Sequence, residues 1–538
     1  MDRTNQKSGT NGVPVCAIGA SAGGVHALRE FFRHVPDDLG LAYVVIIHLA
    51  PDQPSALTEI LSLVTPMDVL QVGDSPELKP NCVYVIAPDR ELVIDGDSVT
   101  ARPFTDPRGQ RAPIDMFFRS VASARGDGIA IILSGAGSDG ALGVRAIKEG
   151  GGVILVQEPA DAEFPMMPRS ALASGVVDIS APIPRLVERM VEVVQSKDAV
   201  RSLSEDEVHQ QLQRIITFLR TRTGHDFSRY KRASVMRRVA RRVQVTRSKS
   251  MSGYADYLTA NPEEAQELLS DLLISVTSFF RDENAYDVLA KEGITSLFDS
   301  AGEDGIRAWI VGCATGEEAY SLAILMLEEA TRRDVRLPIQ IFASDLDEGA
   351  LATAREARYP ESIEADVSQD RLDRFFTKEG HHYRVNSEVR DLVLFAPHSV
   401  VKDPPFMRLD LISCRNLLIY MERQLQREIC ALFAYGLNPN ALLFLGSAET
   451  ADASPELFAP IHRDARLYRA RGLASKTLPV ISLMPDEHKP PVFGPPRQQR
   501  EPTQERTTGA LHLHALEHAA PPSILERVAF NWPHSLLP

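Results

Sequence analysis

Two turns in this 538-residue chain carry side chains and backbone groups that could do covalent chemistry. In the first, Gly19-Ala20-Ser21-Ala22-Gly23-Gly24 closes an apolar run and opens an amphipathic one, so a hydroxyl is presented where a strand gives way to a helix. Glycines on both sides permit a tight turn that pushes Ser21 outward, as in a nucleophile elbow. The helix start at Gly23-Gly24 is expected to leave backbone N–H groups free for an oxyanion. Such a turn serves phosphate binding or packing as readily as catalysis. Its neighbours narrow the choice. Val44-Val45-Ile46-Ile47 leads into His48, and the run 129–133 leads into Ser134-Gly135-Ala136-Gly137-Ser138-Asp139. In a parallel sheet these three strand ends bring a nucleophile, a base and an orienting acid to one rim. Their chain order, Ser, His, Asp, argues against an α/β-hydrolase, in which the histidine comes last.

The second turn follows Trp309-Ile310-Val311 and reads Gly312-Cys313-Ala314-Thr315-Gly316-Glu317-Glu318. Glycines at a strand-to-helix junction let backbone approach a ligand closely. The next strand, 339–344, ends in Asp345-Leu346-Asp347, where a carboxylate can accept from both hydroxyls of a ribose. Cys414-Arg415-Asn416-Leu417 adds polar groups to the same rim. No Gly-Lys-Ser/Thr follows, so the loop is not a P-loop, and without the full GxGxxG a dinucleotide fits less well. The residues describe an adenosine-cofactor site of open chemistry, with an inactive packing loop as the alternative.

The elements that must position these groups follow from apolar patterning. Strands are expected at 15–18, 42–48, 82–87, 129–134 and 152–156, with helices at 24–34 and 140–149 and a small hairpin turning at Asp95-Gly96-Asp97. Several of these strands lack polar alternation, as in a sheet covered on both faces. Further strands at 306–311, 339–344, 392–397, 409–414 and 442–445 mark a second α/β domain. Between the two, about 207–278 shows amphipathic helical stretches and no strand pattern. The fold class expected is α/β: two doubly wound Rossmann-like domains with a small all-α domain between them.

Composition bounds the rest. With 44% hydrophobic and 24% charged residues, the chain falls in the soluble globular class. The five cysteines form no CxxC pair and no zinc-like spacing, so free thiols in a reducing compartment, no metal and a cytoplasmic location are expected. No apolar run approaches the ~20 residues of a membrane span, and residues 1–11 are polar, unlike a signal peptide. The net charge of −14 excludes a general nucleic-acid binder. One basic island breaks that average: Arg229, Lys231, Arg232, Arg237, Arg238, Arg241, Arg242, Arg247 and Lys249, with no acid among them. Val235, Met236, Val239 and Val243 recur there at helical spacing, which puts the arginines on the other face, either as solvated surface or as a landing strip for an acidic partner. Of the 36 prolines, 11 fall in 476–538, which reads as a disordered tail.

The residues also carry a resemblance. Ile18-Gly19-Ala20-Ser21-Ala22-Gly23-Gly24, His48 with Pro51, Val85-Ile86-Ala87-Pro88-Asp89, Pro113-Ile114-Asp115-Met116-Phe117 and Leu133-Ser134-Gly135-Ala136-Gly137-Ser138-Asp139-Gly140-Ala141 resemble the catalytic domain of CheB, the chemotaxis-type protein-glutamate methylesterase. The resemblance implies Ser21 as nucleophile, His48 as base and Asp139 as orienting acid, acting on a glutamate methyl ester of a receptor-like protein. Ala22 and Ala136 depart from the threonine and methionine often found there. Only about a dozen residues precede this stretch, so a receiver domain in the same chain is not expected as its switch.

Ser275-Val276-Thr277-Ser278-Phe279-Phe280-Arg281, Ala314-Thr315-Gly316-Glu317-Glu318-Ala319-Tyr320-Ser321, Phe342-Ala343-Ser344-Asp345-Leu346-Asp347 and Cys414-Arg415-Asn416-Leu417-Leu418-Ile419-Tyr420 resemble CheR, the S-adenosylmethionine-dependent protein-glutamate O-methyltransferase. That resemblance implies cofactor contacts at Thr277, Arg281, Gly312, Glu317, Asp345, Asn416, Leu417 and Tyr420. Arg281 would face the methionine carboxylate, Asp345 the ribose and Tyr420 the methyl group. Ser275 and Ser399 stand where asparagine is usual, which is expected to remove an amide contact, and Ala319 replaces a proline. The whole chain then reads as a CheB–CheR fusion: esterase domain 13–183, helical linker 184–205, all-α domain 206–278, methyltransferase domain 279–475 and tail 476–538. The expected partners are chemoreceptor-like proteins with methylatable glutamates, and signalling kinases or receiver proteins, without nucleic acid or membrane insertion. Two alternatives stay open: the same activities on a non-receptor target, and a regulatory scaffold with one domain degenerate.

Overall fold

The run Val15-Cys16-Ala17-Ile18-Gly19-Ala20 has no polar alternation because every residue of the strand it forms is buried. In the computed structural model the described residues are 12–472, apart from 49–54, 105–110, 126–127, 202–204 and 303. Pro51 and the Pro-rich segment 476–538 lie outside them. The first domain holds β1 (Val15–Ala20), β2 (Ala42–Ile47), β3 (Asp68–Gln71), β4 (Cys82–Val85), the hairpin β5 (Arg90–Asp95) and β6 (Ser98–Pro103), then β7 (Ile129–Ile132), β8 (Val153–Gln157) and β9 (Ile179–Ala181). Its sheet runs β3-β4-β2-β1-β7-β8-β9, and every pairing in it is parallel. Helices Gly24–His34 and Ile183–Arg201 pack on one another, as do Pro113–Arg125 and Gly143–Gly150. Burying one Ile or Val of β1 or β2 contributes roughly 1.5–3 kcal/mol, which is why these two central strands carry no charged residue. The linker helix is not a free connector: Ile183, Leu186, Val187, Met190, Val193 and Val194 complete the esterase-side core.

The strand order places β2, β1 and β7 side by side at the middle of that sheet. Their carboxyl ends therefore deliver Ser21, His48 and the loop to Asp139 to one edge. Two strands of this sheet escape the sequence reading, β3 and the three-residue β9, as do those at Arg358–Pro360, Phe376–Glu379, His382–Val385, Phe458–His462 and Leu467–Ala470 further along the chain.

The second domain holds β10 (Ile306–Val311), β11 (Ile339–Asp345), a small antiparallel sheet of β12 (Arg358–Pro360), β13 (Phe376–Glu379) and β14 (His382–Val385), then β15 (Val393–Pro397), β16 (Leu409–Cys414), β17 (Leu437–Leu445), β18 (Phe458–His462) and β19 (Leu467–Ala470). The main sheet runs β15-β11-β10-β16-β17-β19-β18, parallel through β17 and antiparallel beyond it.

Between the domains stand helices Glu205–Thr223, Arg232–Val245, Met251–Ala260 and Glu264–Leu273, packed around Leu219, Val239, Val243, Tyr254 and Leu268. Here the expectation for the basic island is corrected. Arg238, Arg241 and Arg242 are buried, not presented to solvent. Arg238 donates to the carbonyl oxygens of Lys148 and Glu149 in the first domain. Arg241, with a fully buried side chain, joins Asp178 of the first domain to Asp271 of the helical one. Arg242 makes two bonds to Glu264, at 2.8 and 2.7 Å. On the other flank Arg229 grips Glu428 of the second domain at 2.7 and 3.0 Å. Four of the nine basic residues are thus buried against partners within the protein, while Lys231, Arg232, Arg237, Arg247 and Lys249 stay exposed.

All five cysteines are buried and unpaired. Among the described residues no helix is long and apolar enough to cross a membrane, and no acidic, histidine or cysteine cluster could hold a metal ion.

Candidate active sites

At the end of β1 the chain turns through Ser21, with Gly24 N–H closing on the Ser21 carbonyl at 2.8 Å. That bond consumes one N–H expected to be free, leaving those of Ala22 and Gly23 as the elbow's candidate oxyanion donors. Gly23 has φ +70°, and a Cβ there would meet Ser134 Oγ at 2.8 Å. Ser134 fixes the elbow from the neighbouring strand: its Oγ donates to the Ala22 carbonyl at 3.0 Å and accepts from Phe164 N–H at 2.9 Å.

The three predicted residues meet. Ser21 Oγ lies 3.2 Å from His48 Nδ1, and His48 Nε2 lies 2.8 Å from Asp139 Oδ2. Asp139 is held in turn by the first turn of helix Pro113–Arg125, whose Ile114 and Asp115 N–H groups donate to it at 3.0 and 2.9 Å. An ionised carboxylate only accepts, so it fixes the His48 proton on Nε2 and leaves the Nδ1 lone pair toward Ser21. The imidazole is half-exposed (37%) while Asp139 is largely covered (8%), so the histidine faces solvent and its acceptor is shielded from it. Behind it sits a residue the sequence reading quoted without a role. Burial, and then the charge of Asp139, push the Asp115 carboxyl up to about 8.

In the second domain a cleft enclosing about 1160 Å³, part of it open solvent, is lined by Thr277, Arg281, Gly312, Asp345, Asn416, Leu417 and Tyr420. Seven of the eight expected contacts are thus gathered. Glu317 is not among the lining residues: its carboxylate accepts from Thr315 Oγ1 at 2.5 Å, and Glu318 takes the place on the wall. Asp345 ends β11 with one oxygen accepting from Ala314 N–H (2.8 Å) and the other from Asp347 N–H (2.9 Å), each keeping a lone pair for a ligand. Burial raises this carboxyl above its usual range, and the same two backbone donors pull it back. Gly312 has φ +73°, with Leu417 Cδ2 3.4 Å from the position of a Cβ. Ser275 does not leave a gap where asparagine is usual, because its hydroxyl donates to Asp347 at 2.6 Å.

Two contributors had no sequence signal. Glu449 accepts from Asn416, Ile419 and Gly446 N–H groups and so holds the loop after β16 in place. The other, Glu149, comes from the first domain, and its carboxylate sits on Arg281 inside the cleft. Both are long-range contacts that no local spacing announces.

A serine–histidine–aspartate series on a parallel sheet, beside a glycine-lined cleft on a second one, defines a two-domain protein that couples a hydrolase-type centre to a nucleotide-cofactor domain. Residues 16–190 match the CheB methylesterase family, 210–273 the CheR methyltransferase all-alpha domain and 275–467 the CheR methyltransferase SAM binding domain. The chain belongs to both families: it is a CheB–CheR fusion. It is 31% identical over 185 residues, 33% of the chain and 94% of the relative, to a Leptospira interrogans protein described as a protein-glutamate methylesterase/protein-glutamine glutaminase. It is 30% identical over 243 residues, 44% of the chain and 84% of the relative, to chemotaxis protein methyltransferase 2 of Vibrio cholerae. An uncharacterized 104.1 kDa protein of Rhodobacter capsulatus matches across both parts, 34% identical over 440 residues and 77% of this chain, yet the match covers only 46% of that relative's length.

S-adenosylmethionine is the cofactor of the CheR SAM binding domain. The cleft suits it chemically: Arg281 for a carboxylate, Asp345 for hydroxyls and Gly312 for close backbone approach. Arg415, also on the wall and buried, keeps Nε and Nη1 without a hydrogen-bond partner.

Proposed function

We propose that this chain both forms and removes methyl esters on glutamate side chains of a chemoreceptor-like protein in the cytoplasm. The observation that carries the reading is the hydrogen-bonded series Ser21–His48–Asp139, at 3.2 and 2.8 Å. A degenerate domain kept as a scaffold has no reason to retain it. In the esterase half, Ser21 Oγ attacks the ester carbonyl as His48 Nδ1 takes its proton, and Asp139 stabilises the imidazolium through Nε2–H. His48 then returns the proton to the departing methoxide, which leaves as methanol. Water, activated by the same nitrogen, frees the glutamate carboxylate from the serine.

Bound S-adenosylmethionine supplies an electrophilic methyl group on a sulfonium. Arg281 would pair with its carboxylate and Asp345 would accept from the ribose hydroxyls, with Thr277, Asn416 and Leu417 as further contacts on the cleft wall. Tyr420, on the same wall, would stand near the methyl group. The acceptor glutamate is ionised at neutral pH, so the chain's residues have only to align it and exclude water. Signalling kinases or receiver proteins are the natural further partners of such an enzyme.

The test is methyl transfer into, and methanol release from, a purified receptor. Ser21→Ala should abolish methanol release and spare transfer, and Asp345→Ala should do the reverse. Unchanged methanol release in the first variant, or unchanged cofactor affinity in the second, refutes the corresponding half.

A further inference from the structure

Helix Gly143–Gly150 belongs to the esterase domain, but three of its side chains face the other two domains. Arg145 donates to the Thr277 carbonyl at 3.5 Å and lies 3.6 Å from Glu317. Lys148 pairs with Asp271 at 2.8 Å. Glu149 reaches furthest: both of its oxygens accept from Arg281 Nη2, at 2.8 and 3.0 Å, on the wall of the cofactor cleft. The helix end is clamped there, since Arg238 donates to the Lys148 and Glu149 carbonyl oxygens. Arg281 Nη1 also donates to the Val276 carbonyl at 3.2 Å, so both terminal nitrogens of the guanidinium are already engaged.

We propose that Glu149 is an internal stand-in for the cofactor's carboxylate: the esterase domain holds Arg281 and thereby keeps the methyltransferase half from binding S-adenosylmethionine fully. This rests on the reading of Arg281 as the carboxylate contact. A group tethered in the same chain competes at an effective concentration of about millimolar or more, and cofactor affinity falls by the fraction of molecules in which the latch is shut. In the latched form the Ser21–His48–Asp139 series is assembled, so hydrolysis can proceed while methylation is restrained. One covalent chain thereby avoids running two opposed reactions at full rate and consuming cofactor for nothing.

The experiment is calorimetry on the full chain, wild type and Glu149→Gln, with two probes. S-adenosylhomocysteine keeps the carboxylate; 5′-methylthioadenosine lacks it. Glu149→Gln retains the shape and one of the two acceptors at the latch, and loses the charge and the second acceptor. S-adenosylhomocysteine should bind the variant at least ~10-fold more tightly, while 5′-methylthioadenosine should change by less than about twofold. Equal binding of S-adenosylhomocysteine to both proteins overturns the latch and leaves the cofactor site standing. An equal gain for both probes overturns it too, since the block would then be steric. Failure of both probes to bind either protein removes the cofactor reading together with the latch. A second measurement needs no variant: in the wild-type chain, S-adenosylhomocysteine should speed hydrogen exchange across 143–150 and 5′-methylthioadenosine should not. Bound S-adenosylhomocysteine with unchanged exchange there would also defeat the proposal.

Discussion

Asp139→Asn isolates what the esterase series contributes, because the asparagine keeps the shape of the aspartate and changes one acceptor into a donor. Asp139 now accepts from His48 Nε2 and Ile114 N–H on Oδ2 and from Asp115 N–H on Oδ1. An asparagine can keep its carbonyl toward Asp115 N–H, but its amide then points an N–H at His48 Nε2. That donor selects the opposite tautomer, with the proton on Nδ1 aimed at Ser21, and no lone pair remains to take the hydroxyl proton. The expected loss in kcat is roughly 10⁴-fold, or about 5 kcal/mol of transition-state stabilisation. The structural cost is smaller. Ile114 N–H loses its acceptor, which costs about 1–3 kcal/mol if no water replaces it. Methanol release from methylated receptor gives the rate, and a thermal melt of the same sample separates chemistry from unfolding. A folded variant that keeps more than about a tenth of wild-type kcat would show that Asp139 does not set the His48 tautomer, and the proposed mechanism would fail.

Arg241→Ala removes the cation shared by Asp178 and Asp271, leaving Asp178 only Lys148 at 3.8 Å among the cations and Asp271 to Lys148 at 2.8 Å and Arg242 at 3.8 Å. Breaking such a buried pair costs about 3–5 kcal/mol, so the chemical-denaturation midpoint should drop clearly, and Asp271→Asn added to it should recover part of the loss. Asp115, raised to about 8 in the fold, holds its proton there and loses it near the ordinary carboxylate value once unfolded. The folded state therefore binds more protons across that window, and stability should fall as pH rises from about 4 toward about 8. Asp115→Asn should flatten the slope, since its amide oxygen can still accept from Gly143 N–H; an unchanged pH–stability curve would refute the assignment.

What could be read from the chain followed the range of each interaction. The apolar runs of β1, β2 and β10 and the turns after them are local, and the helix expected at 24–34 is the helix observed. The seating of Ser21, His48 and Asp139 followed as soon as three parallel strand ends shared an edge. The strand β3 was illegible because three of its four residues are exposed and it lies at the sheet's rim, where no apolar pattern is required. The basic helix misled for the opposite reason. Arg238 and Arg241 look like surface residues by type, and only distant acids and carbonyl groups allow them to be buried. Glu149 and Glu449 belong to the same kind: each acts on a loop or domain far along the chain, so neither leaves a periodicity or a motif.

The all-α domain is gripped from both flanks, by Arg229 to Glu428 on one and by Arg238 and Arg241 to the esterase side on the other. A spacer fastened this way has no slack. The two catalytic halves are therefore joined through ion pairs and hydrogen bonds on both flanks of the helical domain, and not by the covalent chain alone.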